Sequence, residues 1–89
     1  MPEPVDETAG WRAVGVVLDG QPIDLGGGID PWKHSWRSLD REVWMRHPSW
    51  PTQLHDLPTY EITAGDRTIV FAAGELSNQV WGFYVPIGQ

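Results

Sequence analysis

Eighty-nine residues suffice for one domain around one hydrophobic core, and with no cysteine neither disulfides nor a thiolate metal site can staple it. Twelve acidic against six basic side chains give a net charge of −6, which repels phosphate backbones and weighs against nucleic acid, leaving a basic protein as the better electrostatic partner. Tryptophan is the abundant resource: there are six, including Trp32, Trp36, Trp44 and Trp50, and each ring can bury roughly 150–250 Å².

Met1–Gly10 carries Glu3, Asp6 and Glu7, two prolines and no apolar run. It reads as a disordered acidic tail, neither signal peptide nor membrane span, ahead of a single domain over 11–89 in a cytoplasmic protein. The first expected element is a hairpin, with Asp19 and Gly20 as a type I′ turn between two apolar runs. That turn would set Leu18 against Gln21, Val16 against Ile23 and Val14 against Leu25, with Pro22 marking the second strand as a sheet edge.

Gly26, Gly27 and Gly28 lead into Asp30 and Pro31, an N-cap followed by a first-turn proline, so a helix is expected from Pro31 to Arg46. On it Trp32, Trp36, Leu39 and Val43 fall within about 60° of one another and form the core stripe. Pro48 would stop the helix, and Pro48, Pro51 and Pro58 would punctuate an irregular segment to Leu57, with Trp50 and Leu54 draped over the core edge.

The last third reads as a three-stranded meander. Gly65 and Asp66 form the first turn, placing Ala64 opposite Arg67, Ile62 opposite Ile69 and Tyr60 opposite Phe71. A loop over Gly74–Asn78 would then bring Trp81 to Phe71 and Phe83 to Ile69. Gly82 suggests a bulge or a close approach by another backbone. The expected fold class is therefore α+β: one helix packed on a five-stranded, mostly antiparallel sheet in the order β-β-α-β-β-β.

No catalytic, cofactor-binding or metal-ligating set emerges. The glycine run lacks the G-x-G-x-x-G spacing and a following Lys-Ser/Thr, and Asp30 would stand where a phosphate should sit. Of the three histidines, His47 and His55 share a segment with Asp56, but none forms an i, i+4 ligand pair on a helix. Nothing pairs Asp56, Glu61 or Glu75 into an acid–base couple, and no serine lies in a nucleophile elbow, so the chain reads as a non-enzyme without cofactors.

Two surfaces remain. On the expected helix Lys33, Arg37 and Arg41 follow at i, i+4 and i+8 with Trp44 inside their strip: either a contact site, or a ring buried beneath Trp50 and Leu54. Val70, Val80 and Tyr84 lie on the sheet face meant for solvent, to be covered by a second copy or by the chain itself. These seven residues make the candidate contact surface of a protein-interaction module, a homodimer or an antitoxin- or immunity-like partner of a basic protein. The alternative is a small-ligand binder, of carbohydrate type, that stacks rings on exposed aromatic faces.

Overall fold

The computed structural model describes residues 5–47 and 50–88, with the side chains of His47, Trp50, Pro51 and Gln53 outside the description. Five strands form one antiparallel sheet: β1 (Trp11–Leu18), β2 (Arg37–His47), β3 (Trp50–Ala64), β4 (Arg67–Ser77) and β5 (Val80–Pro86), in spatial order β1-β5-β4-β3-β2. Beyond the strands the described residues hold only two 3-10 turns, Thr8–Gly10 and Pro31–Lys33. The domain is all-β, which corrects the α+β expectation, and none of its helical segments is long and apolar enough to cross a membrane.

The helix expected over Pro31–Arg46 is absent. Its start signal is real but local: Asp30 accepts the Trp32 amide at 3.1 Å, Pro31 occupies the first position, and the turn ends at His34 in extended backbone. Propagation fails because the supposed stripe serves two sides of the sheet. Trp32 and Trp36 pack on one apolar cluster, whereas Val43 belongs to another together with Met45. From Val43 onward the alternation of buried Val43 and Met45 with less buried Trp44 and Arg46 is strand periodicity, reinforced by a β-branched and an aromatic residue. A bulge between Ser38 and Glu42, where Asp40 takes φ 55°, hid that period.

The Asp19–Gly20 turn forms but does not make the expected hairpin. Gln21 donates its amide to Leu18 O at 2.9 Å, yet only Gly20 adopts positive φ (82°), whereas a type I′ turn needs it at both central residues. The chain leaves the sheet, Gln21–Leu25 forms no strand, and β1 pairs instead with β5, Leu18 against Val80. Sheet membership thus differs from expectation: the second hairpin strand is missing and the supposed helix supplies a strand.

From Trp50 onward the proline-punctuated segment is also strand, while Pro48, the expected helix stop, lies outside the described residues. Pro58 pairs with Glu42 beside the β2 bulge, and β3 begins to pair with β4 only at Thr59. The segment before Thr59 therefore has a neighbour on one side alone, where a proline without N–H is tolerated. The β3–β4 hairpin follows the sequence reading residue for residue, from Ala64↔Arg67 to Tyr60↔Phe71, with Gly65 at φ 66° supplying the turn. The next connection is tighter than expected. β4 continues to Ser77, Gln79 takes φ 61° in a two-residue turn, and Phe83 lies opposite Ala73 rather than Ile69. Gly74 and Gly82 face each other within the ladder. A Cβ on Gly74 would overlap Leu57, and one on Gly82 would lie 2.8 Å from Leu76 Cδ1, so the close approach comes from side chains.

Two cores lie on opposite faces of the sheet, because Phe71, Ala73, Phe83 and Val85 alternate with Ala72 and Tyr84 along β4 and β5. The first joins Leu25, Ile29, Ile62, Phe71, Ala73, Phe83 and Val85, roofed by Trp32, Trp36, Tyr60 and Trp81; the second joins Val43, Met45, Leu57, Ala72 and Tyr84 with Trp11 and Leu76. Each large side chain fully buried this way contributes about 1.5–3 kcal/mol. Of the expected acidic tail, Met1–Pro4 lie outside the described residues, and the stretch leading into β1 is bonded to β2. Glu7 N donates to Trp44 O at 2.8 Å and Arg46 N donates to Thr8 Oγ1 at 2.8 Å. This strap links the two outer strands and closes the second core.

Candidate functional site

The seven expected contact residues are distributed over separate parts of the fold. Lys33 ends the 3-10 turn over the first core, exposed and without an ion-pair partner among the described residues. Arg37 lies on β2 just before its bulge and Arg41 within it, and both face carboxylates. Arg37 Nε donates to Glu61 Oε1 at 2.6 Å, and Arg41 Nη2 donates to Glu7 Oε1 at 3.1 Å. Trp44 is half-buried, its backbone clamped by Glu7 through both its N–H and its carbonyl. The covering role expected of Trp50 falls on a side chain outside the description. Tyr84 is buried in the second core, whereas Val70 and Val80 are half-buried. Val43 and Met45 of β2 and Leu57 of β3 pack in the same core, so Tyr84 is covered from within the chain.

The strap is electrostatic as well as hydrogen-bonded. The Asp6 carboxyl lies below its ordinary 3.8, chiefly because the Thr8 hydroxyl donates to it at 2.5 Å, then through the Thr8 amide and the Arg46 guanidinium at 2.8 Å. Burial pushes the Tyr84 phenol up to about 12. Among the described residues no three His, Cys, Asp or Glu side chains are grouped as a metal site.

The most ligand-like geometry lies on the other side. The segment after the glycine turn folds back over the end of β5 and brings Trp32, Trp36 and Trp81 together with Pro31 and His34 around an open depression of about 300 Å³. The Trp32 and Trp36 centroids are 5.5 Å apart at 41°, and Trp81 stands edge-on to Trp32 at 5.6 Å and 90°. Trp36 is held from below by Tyr60 and Phe71, each at 5.1 Å, and its Nε1–H donates to Pro31 O at 2.7 Å. The Nε1 atoms of Trp32 and Trp81 are buried without an acceptor among the described residues. The spacing of Trp32 and Trp36 was visible in the sequence, but a helical reading buried both rings against the sheet. Recognising the groove requires knowing that the chain reverses after a single 3-10 turn.

No protein-family model, curated protein or solved structure matches this chain. Fold and groove define a small, acidic, antiparallel β domain with a tryptophan-lined surface, and the functional reading rests on that geometry.

Proposed function

We propose that this domain is a small-ligand binding module that stacks a ring-shaped, polar-edged ligand of carbohydrate type on the Trp32–Trp36–Trp81 groove. The observation that carries the reading is the clustering of three half-buried indoles around one open depression of the monomer. Rigid aromatic faces supply contact area at low entropic cost, while sugar hydroxyls need nearby polar groups. His34 stands at the groove as a polar partner for a hydroxyl, and the buried Nε1–H groups of Trp32 and Trp81 lack acceptors among the described residues, a deficit of about 1–3 kcal/mol each that a rearrangement on ligand binding would relieve. Titration calorimetry against glucose, N-acetylglucosamine, cellobiose and chitobiose tests it. Saturable binding in the millimolar range or tighter is expected for at least one, about −4 kcal/mol, and Trp32→Leu should abolish it while the protein stays folded. No saturable heat from any of the four, or binding unchanged in Trp32→Leu, would contradict the proposal.

A second reading, self-association, draws on the β1 edge. Val16 and Leu18 are 42% and 57% exposed on a strand that pairs only with β5 among the described residues. Pairing of two such edges would cover them, as expected of a homodimer. Light scattering over a dilution series should then show a dimer that Leu18→Lys dissociates; a monomer at all concentrations would dismiss it. The net charge of −6 still favours a basic protein as any other partner.

A further inference from the structure

The arginines of this chain fall into two groups. Arg37, Arg41 and Arg46 each meet a carboxylate. Arg12 and Arg67 meet none among the described residues, yet both line a single cavity of about 310 Å³ whose wall includes no acidic residue. In a chain with twice as many acids as bases this is a local inversion of charge. Beside the two guanidiniums the cavity presents an aliphatic patch, with buried Leu25, Ile29 and Val85 next to Ile69.

Arg67 is placed by the glycine turn. Gly27 has φ 63°, and a Cβ there would overlap the Arg67 guanidinium, so glycine is what lets the charged group lie over the loop. Its one side-chain hydrogen bond among the described residues, Nη1 to Gly27 O, is long at 3.5 Å and leaves most of its donors open there. The loop amides offer little to an anion, because Asp24 Oδ1 already accepts from Gly26 N at 2.7 Å and Gly28 N at 3.1 Å. Recognition of a negative charge at this cavity therefore falls to the two guanidiniums.

We propose that this cavity binds a small carboxylate carried on an apolar body. The planar fork of an arginine matches a carboxylate, and the aliphatic floor accepts the hydrocarbon part, which a fully hydrated inorganic dianion would leave unused. This site shares no lining residue with the tryptophan groove and stands independently of it.

Benzoate is the probe, with benzamide as its neutral counterpart and inorganic phosphate as a bare anion, each followed by ¹H–¹⁵N NMR at the amides of Gly26, Thr68 and Ile69. Benzoate should shift these amides saturably, and benzamide and phosphate should bind about ten-fold more weakly or less. Arg12→Gln and Arg67→Gln should each weaken benzoate about ten-fold with little change in melting temperature, since both side chains are exposed. Gly27→Ala should weaken it as well, by displacing the guanidinium without removing its charge. No benzoate binding, equal binding of benzoate and benzamide, phosphate binding as tight as benzoate, or full benzoate affinity in the folded Arg12→Gln/Arg67→Gln double variant would each overturn the assignment.

Discussion

The two cores of this small sheet are closed by different chemistry. The first is roofed by a chain reversal that carries Trp32 and Trp36, and its closure is burial of rings against Phe71, Phe83 and Trp81. The second is closed by the Asp6–Thr8 strap, whose hydroxyl, amides and carboxylates hold Trp44 and Arg46 of β2. In the second region the charged groups are occupied by the fold itself, so the basic residues of β2 act as structural partners of Glu7, Asp6 and Glu61. In the first region Trp32, Trp36 and Trp81 are only half-buried, and two of their indole donors have no acceptor among the described residues. Function is more readily sought where side chains remain uncommitted.

The contrast can be broken most forcefully at the aromatic core. Phe71→Ala should cost about 3–5 kcal/mol, read as a fall in the urea midpoint, because the ring is fully buried between Trp36, Tyr60 and Phe83. Overfilling the second core should cost less. Gly74→Ala pushes a methyl into Leu57 without a positive φ to strain the backbone, for about 1–3 kcal/mol, and truncating Leu57 in the same chain should make the pair less than additive. Thr8→Val removes the acceptor of Arg46 N and a donor to Asp6, and thermal unfolding should report about 1 kcal/mol.

The smallest effects are those of pH, and both arise at the second core. Asp6 is held below its ordinary 3.8, so its contribution is present above that value and is lost as pH falls through the lowered one. Stability below pH 4 should therefore fall less steeply in Thr8→Val than in the parent. Tyr84 behaves in the opposite direction: the unfolded phenol ionises near 10 while the buried one resists to about 12, so stability declines between those values. Tyr84→Phe should flatten that alkaline limb in a melting-temperature series. Unaltered limbs in the two variants would show that neither group governs the closure of the second core.

These comparisons also mark how far the sequence could be read. The β3–β4 register was legible because Gly65 fixes a two-residue turn and the alternation on both strands agrees with it. β2 was not, because the bulge at Asp40 broke its period and let Trp32, Trp36, Leu39 and Val43 align at helical spacing by coincidence, though Trp32 and Trp36 serve the first core and Val43 the second. The turn at Asp19 misled in another way: the dipeptide forms a turn, but the Gln21 side chain accepts the Leu18 amide at 3.1 Å and the chain departs from the sheet. Gly74 was read as the start of a loop and Gly82 as a bulge or a close approach by another backbone, whereas they clear space for the Leu57 and Leu76 side chains inside a ladder. The groove was hidden for the same reason as β2, since its geometry depends on where the supposed helix stops.

The most direct test of the central claim follows the indole N–H signals by ¹H–¹⁵N NMR while the four sugars are added in turn. The account predicts that at least one sugar moves the Trp32, Trp36 and Trp81 signals together and leaves those of Trp11 and Trp44 in place. Shifts confined to Trp11 or Trp44, or no indole shift with any of the four, would contradict it.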